Sequence, residues 1–338
     1  MTDYIIRRLF FMVITLLGIT LVVMGLTRLL PGGPVEQRVA MLSGTMTEGG
    51  SSQAAQEMRA DELDRLRAYY GLDQPFLAAY GSWLRDVLRG DLGESWSYRE
   101  PVAEVIADKF PISLFFGVTS LILTYLVSIP LGVSKALKNN TPYDTVTSII
   151  VFVGYVIPGF ALGVLLIVFL GGGNYLDLFP ISGVRSDDWA LLPWHWKILD
   201  FLHHMILPLI CYMVGQFAVL TMLMKNSLLE EINRDYMRTA MAKGVPSRVA
   251  IWKHALRNAL IPIVTGIGAI FTVMFASSLL IEKVFEIDGM GMLFYTSIIG
   301  YDYQVVMGII LLMSLAALLG RLFSDIMYVV VDPRIRFD

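Results

Sequence analysis

DYMRTAMAKGVPSRVAIWKHALRNALIP, residues 235–262, is a polar and basic stretch set between apolar runs long enough to cross a bilayer. Leu229, Ile232, Tyr236 and Ala240 form one stripe at helical spacing, Glu230, Glu231, Arg234 and Arg238 occupy the other face, and Gly244 supplies the stop. A second short helix is expected after Pro246. There Val249, Trp252 and Leu256 recur on one side while Arg248, Lys253 and Arg257 project elsewhere. The turn between the two, Gly244-Val245-Pro246-Ser247, is compact. Such a helix pair can enter a groove on another protein, and it can equally lie on anionic lipid as an amphipathic connector; periodicity leaves both open.

The flanks decide the fold class. Hydrophobic residues make up 56% of the 338-residue chain and its mean hydropathy is +0.64, whereas soluble domains hold roughly 45–50% apolar residues. Crossing about 30 Å of hydrocarbon takes about 20 helical residues. Six stretches qualify: residues 9–27, 112–137, 146–170, 205–224, 259–281 and 303–328. The expectation is an all-α integral membrane protein with six spans. It divides into residues 1–30 (terminus and first membrane helix), 31–110 (an outer loop region with short amphipathic helices) and 111–338 (a five-helix core that includes the polar loop 225–258).

The first apolar run follows Arg7 and Arg8 but exceeds the ~7–15 residues of a signal-peptide core, and no small-x-small site precedes the polar chain at Pro31. An uncleaved anchor is expected. Orientation follows the basic residues: one side collects Arg7, Arg8, Lys135, Lys138, the loop from Lys225 to Arg257, Arg334 and Arg336, and the other short loops hold only Arg185, Lys197 and Lys283. Both termini and the 235–262 segment are therefore expected in the cytoplasm. The long loop 31–109 carries arginines outweighed by acids, and loops beyond about 60 residues translocate largely regardless of charge.

In the outer loop, Ser43 to Ser52 is rich in Gly and Ser, and two short amphipathic helices are expected after it. The first carries Leu63, Leu66 and Tyr70 and stops at Gly71; the second carries Phe76, Tyr80, Trp83 and Val87 and stops before Gly90. Gly90-Asp91-Leu92-Gly93 reads as a tight turn ahead of a helix opened by Pro101. Trp189, Trp194 and Trp196 with Tyr175 fit an interfacial aromatic belt or the vestibule of a substrate path.

Several classes of chemistry lose support. A net charge of −3 and a pI near 5.8 do not supply the concentrated positive face that nucleic acid requires. Cys211 is the only cysteine. There is no G-x-x-x-x-G-K-[ST], since Gly171-Gly172-Gly173 leads to Asn174-Tyr175, so nothing here cradles a nucleotide and energy must come from a partner. His203 and His204 leave a helix roughly 100° apart, His195 and His254 fall on opposite sides of the membrane, and no His-Glu-x-x-His motif supports a membrane protease. A secondary transporter would be expected to carry an ion-coupling carboxylate near mid-membrane or an unwound helix pair, and the sequence shows no convincing mid-span acid. Arg321 and Asp325, four residues apart in the last span, are expected to pair, as a structural contact or as a gate. Pro130, Pro158 and Pro208 are candidate bending points, and Gly154, Gly159 and Gly163 allow close helix approach.

The segment resembles the cytoplasmic EAA loop of ABC-importer permeases. Arg238-Thr239-Ala240-Met241-Ala242-Lys243-Gly244 followed by His254-Ala255-Leu256-Arg257-Asn258-Ala259 is similar to the dipeptide/oligopeptide branch, in which Arg238 stands where the general motif has Glu. The resemblance runs along nearly the whole chain, through Arg7-Arg8, Pro31-Gly32-Gly33-Pro34-Val35, Tyr70-Gly71-Leu72-Asp73-Gln74-Pro75, Gly90-Asp91-Leu92-Gly93-Glu94-Ser95 and Asp332-Pro333-Arg334-Ile335. Within the branch, Pro31-Gly32-Gly33-Pro34-Val35-Glu36-Gln37 and Asn174-Tyr175-Leu176-Asp177-Leu178-Phe179-Pro180 resemble the YejB-type subunits of Yej peptide importers.

The resemblance implies a type I importer permease in the bacterial inner membrane, with a cytoplasmic coupling helix pair. It implies a pore shared with a second homologous permease, one or two cytoplasmic ATPase subunits, and a periplasmic peptide-binding protein. Oligopeptides would be the cargo, with microcin C and some antimicrobial peptides associated with the Yej type; dipeptides or nickel are the alternatives within the branch. ATP and Mg would be held by the partner subunits, with no cofactor or catalytic residue in this chain. The residues expected to meet the ATPase are Arg234, Asp235, Tyr236, Arg238, Thr239, Ala240, Lys243, Gly244, Val245, Pro246 and Ser247.

Overall fold

The computed structural model describes residues 2–29, 65, 73–172, 175–269 and 278–331. In chain order the helices are α1 (Thr2–Leu29), α2 (Phe76–Val87), α3 (Val102–Leu137), α4 (Pro142–Val156), α5 (Gly159–Leu170), α6 (Trp194–Ile232) and α7 (Asp235–Ala242). They continue with α8 (Ser247–Ala250), α9 (Leu256–Ala259), α10 (Ile261–Thr265), α11 (Leu279–Val284), α12 (Met290–Ile299) and α13 (Tyr303–Val331). Among the described residues the only β pairing is two isolated bridges, so the all-helical expectation stands.

Four of the helices, α1, α3, α6 and α13, are long and apolar enough to cross a membrane alone. The third expected span is not one helix: α4 and α5 are bent by 100° about a short break at Ile157-Pro158. Ile157 takes extended backbone, as the residue before a proline prefers, and Pro158 has no N–H with which to continue the helical ladder. Pro130 and Pro208 lie inside unbroken helices. The fifth expected span, residues 259–281, is described as short helical pieces up to Ala269 and again from Ser278, and residues 270–277 lie outside the described residues. The Gly- and Ser-rich patch and the expected helix carrying Leu63, Leu66 and Tyr70 lie outside them as well.

The chain divides into two compact units. One comprises residues 6–109 and 293–315. There α2 forms where the aromatic stripe predicts it, and Trp83 and Ala79 are buried. The Tyr80 hydroxyl lies 2.9 Å from Thr20 Oγ1 and donates to the Leu17 carbonyl at 3.1 Å, so this stripe packs on α1. Gly90 and Gly93 have positive φ, as the expected tight turn requires. Val102 and Ile106 at the start of α3 close on Gly308, where an added Cβ would lie 2.9 Å from Val102 Cγ1. Asp302, fully buried, accepts from the Ser95 hydroxyl and the Ser97 N–H and so fastens the 93–101 loop.

The other unit comprises residues 1–5, 110–292 and 316–338. Phe116, Met205, Leu207, Phe285 and Ile287 form its buried apolar centre. Gly159 and Gly163 let α5 approach α6 as the sequence suggests: a Cβ on Gly159 would stand 2.6 Å from the Cys211 carbonyl oxygen. Glu282, also fully buried, accepts the N–H of Met292 at 2.6 Å and closes the turn between α11 and α12.

Lys135 and Lys225 are more than topological charges. Lys135 Nζ lies 3.1 Å from Asp144 Oδ1 and donates to Thr147 Oγ1 and Ser148 Oγ, both at 2.8 Å; Lys225 Nζ donates to Asp144 Oδ2 at 2.7 Å. Three helices, α3, α4 and α6, are thus fixed by one carboxylate. The expected Arg321–Asp325 pair takes another form: Asp325 Oδ2 accepts from the Tyr4 hydroxyl at 2.8 Å, and Arg321 is exposed.

Removing one partner of a buried ion pair costs about 3–5 kcal/mol, because the remaining charge stays buried. Asp144→Ala strands two lysines at once. It is expected to lower the thermal unfolding midpoint in detergent sharply, and Asp144→Ala with Lys135→Met and Lys225→Met together should recover most of the loss. A single variant as stable as the parent would show that the triad does not hold the helices.

Candidate functional site

Helix α6 does not carry the amphipathic stripe straight into the polar segment. It stops at Ile232, the chain turns at Asn233 and Arg234, and α7 begins anew at Asp235. Leu229, Ile232 and Tyr236 nevertheless all pack against one cluster, built from Val133 and Ala136 of α3, Leu220, Met224 and Leu228 of α6, Met237, and Ala250, Ala255 and Ala259. Ala240 is half-buried. Met237, which the stripe omits, is the most deeply buried residue of α7.

Gly244 ends α7 with φ +87°, a region that side chains with a Cβ rarely adopt. Its N–H donates to the Met241 carbonyl at 3.0 Å and the Val245 N–H donates to the Ala240 carbonyl at 3.2 Å. These two bonds are the Schellman closure of a helix C-terminus. Nothing lies within 4 Å of a Cβ built on Gly244, so its glycine is required by backbone conformation and not by crowding. Pro246 then caps α8, accepting from the Ala250 N–H at 3.0 Å.

The Val249, Trp252 and Leu256 side of the second helix is divided between solvent and core. Val249 and Trp252 are 46% and 52% exposed, while Ala250, Ala255 and Ala259 have no exposed surface. A single π turn, Ile251–Ala255, is inserted between α8 and α9. One extra residue in that turn rotates the helix beyond it, so the inward positions fall five and then four apart. Small alanines let this helix lie close on α6, and of the predicted stripe only Leu256 packs inward. Arg248, Val249, Trp252 and Lys253 line an outward hollow of about 370 Å³.

A polar knot ties the three helix ends together. Glu231, which the sequence puts on the face opposite the apolar stripe, is buried. It pairs with Arg234 Nε at 2.9 Å, accepts from the Tyr236 hydroxyl at 2.6 Å and receives the Asn258 amide at 3.4 Å. Burial first, then the Glu231 carboxylate, raise the Tyr236 phenol above its ordinary value. Glu231 and Asn258 escape periodicity because their partner lies 22 residues away from Asn258, at Tyr236.

The other predicted contact residues sit around this knot. Arg234 also reaches Glu230 at 2.7 Å, and the exposed Arg238 lies 3.7 Å from the exposed Asp235. Thr239 folds its hydroxyl back on the Asp235 carbonyl at 3.0 Å. Lys243, Pro246 and Ser247 are exposed, and Val245 is half-buried against the cluster. Arg321 and Asp325 belong to α13 and take no part in the knot.

Residues 128–337, which hold the whole of this arrangement, match the family described as "Binding-protein-dependent transport system inner membrane component". The chain belongs to that family. As an inner membrane component it has full-length relatives. It is 38% identical over 362 residues to the inner membrane ABC transporter permease protein YejB of Escherichia coli O157:H7, covering 100% of both chains. It is 38% identical over 360 residues to the peptidoglycan transport system permease protein YejB of Agrobacterium fabrum, covering 100% of this chain and 99% of that one. The oligopeptide transport system permease protein AppB of Bacillus subtilis is 33% identical over 338 residues and is covered throughout.

The raised Tyr236 phenol leads to an expected alkaline limit on the stability of this chain. A phenol raised in the folded state contributes stability that is fully present below the ordinary tyrosine value of about 10 and is lost as pH rises through the folded value. Tyr236→Phe should remove that alkaline limb from the stability–pH curve of the purified protein and lower stability at neutral pH by about 1–3 kcal/mol. An unchanged curve would mean that the phenol–carboxylate bond carries no weight.

Proposed function

We propose that this chain is the pore-forming permease of an ATP-driven importer of oligopeptides, with the helix pair at residues 235–259 as its contact with a cytoplasmic ATPase. The observation that carries the cargo class is the full-length likeness to permeases of the Yej and App systems. Microcin C and antimicrobial peptides are the finer expectation within that class. A dipeptide cargo is the second reading, favoured by 34% identity over 352 residues to the dipeptide transport system permease DppB of Escherichia coli K12.

The geometry supports the docking role. Met241, Val249 and Trp252 are exposed apolar side chains on a hairpin that packs on α6 by another face, Arg248 and Lys253 share a hollow with Val249 and Trp252, and Arg238 and Lys243 are exposed on the same hairpin. A partner presenting a groove with acidic edges would bury this surface. ATP and Mg belong to that partner, and a second permease completes the pore. A periplasmic binding protein delivers the peptide, six spans place both termini in the cytoplasm, and the membrane is the bacterial inner membrane. Closure of the ATPase pair then pushes the hairpin, and the hairpin moves the bundle as a rigid body.

Gly244→Val tests the coupling step, since forcing a β-branched residue into positive φ strains the turn by about 1–3 kcal/mol. The expected outcome in proteoliposomes holding the complete complex is ATP hydrolysis with peptide uptake strongly reduced and the permease still inserted. Unchanged uptake would remove the turn from the mechanism. For the parent complex, uptake must require ATP; uptake driven by an ion gradient alone would defeat the importer reading.

A further inference from the structure

A cavity of about 720 Å³ opens beside the α4–α5 break, with walls from α3, α4, α6 and the residues flanking α10 and α11. Its size lies in the roughly 300–1,000 Å³ range of ligand pockets. No Asp, Glu, Lys, Arg or His is among its lining residues, counted over the described residues. It is polar all the same, through Thr124, Tyr125, Tyr155, Tyr212, Gln216 and Ser278.

Two of these polar groups have no partner among the described residues. Thr124 is 1% exposed and its Oγ1 is buried without a hydrogen bond. Gln216 is exposed at the middle of the 39-residue apolar helix α6. An amide facing lipid chains there would be left unsatisfied, at a cost of about 1–3 kcal/mol or more. The broken helix adds to this supply of bonding groups. Pro158 offers no N–H to the Gly154 carbonyl, and the last carbonyls of α4 end at the cavity wall. Irregular backbone at membrane depth is tolerated where it lines a cavity that holds water or solute.

We propose that this cavity is part of the substrate path and that Gln216 and Thr124, with the ring hydroxyls around them, hydrogen-bond the main chain of the passing peptide. An uncharged wall of donors and acceptors recognises what every peptide shares, its amide N–H and C=O, and is indifferent to side-chain charge. The inference rests on the peptide reading of the chain and adds to it where and how the peptide is met.

Two measurements on the complete complex test it. In a Cys211→Ala background, Gln216→Cys is expected to react with a charged, water-soluble thiol reagent. Ile150→Cys, exposed on α4 outside the cavity, is expected to stay unlabelled. A Gln216→Cys variant that stays unlabelled would give the cavity to lipid, and one that instead cross-links to the second permease would make it a subunit seat; either overturns the proposal. In the second measurement, Gln216→Glu should raise the ratio of lysine-containing to glutamate-containing tripeptide uptake by about tenfold. Gln216→Leu should lower the uptake of both alike. A ratio unchanged in Gln216→Glu, with the parent importing both peptides, defeats the inference alone. Failure of the parent to import any peptide defeats the peptide reading and the inference with it.

Discussion

The length of α6 is the constraint from which the rest of this unit derives. Its 39 residues extend about 58 Å at 1.5 Å per residue, nearly twice the roughly 30 Å of hydrocarbon. One continuous helix therefore does two jobs. Its middle, from Cys211 to Leu223, walls the cavity, and its last turns, from Leu220 to Glu231, seat the hairpin. Between Gln216 and Glu231 the sequence has neither proline nor glycine. The proposed displacement of the hairpin would therefore meet no proline or glycine hinge before the cavity wall.

Polar groups sort the unit into parts that are finished and parts that await something. Lys135, Asp144 and Lys225 satisfy one another with Thr147 and Ser148, and Glu231 is satisfied by Arg234, Tyr236 and Asn258. These knots sit where helices must keep their relative positions. Gln216 and Thr124 at the cavity differ, as do the exposed Val249 and Trp252 on the hairpin. Exposed apolar surface and unpartnered polar groups beside a cavity are features that another molecule could satisfy, as the proposed docking and substrate-path roles require.

The sequence discloses features whose cause is local. Uniform hydropathy over 20 or more residues gives α1 and α13, the aromatic stripe Phe76, Tyr80, Trp83 gives α2, and Gly244 followed by Pro246 gives the hairpin turn. Features with a distant cause stay hidden. Pro130, Pro158 and Pro208 look alike in sequence, yet only Pro158 breaks its helix, beside a glycine pressed on the Cys211 carbonyl. Lys135 and Lys225 read as orientation signals because Asp144 becomes their partner only when three helices meet. Periodicity groups Val249, Trp252 and Leu256 on one side of the hairpin's second helix but does not say which side packs. The real contact needs the smallness of Ala250, Ala255 and Ala259 and the register shift of a π turn.

The outward placement of Val249 and Trp252 bears on the proposed docking role. Had the large residues faced inward, the hairpin would bury its apolar surface against α6 and present only charge outside. With alanines inward, close packing fixes the hairpin to the helix, and Val249 and Trp252 remain for an external groove. Burying a large apolar side chain contributes about 1.5–3 kcal/mol, so two such residues ringed by Arg248 and Lys253 can hold a partner while the attachment to α6 stays unchanged. The same segment is packed on one face and leaves apolar side chains exposed on the other, as the proposed lever between two bodies requires.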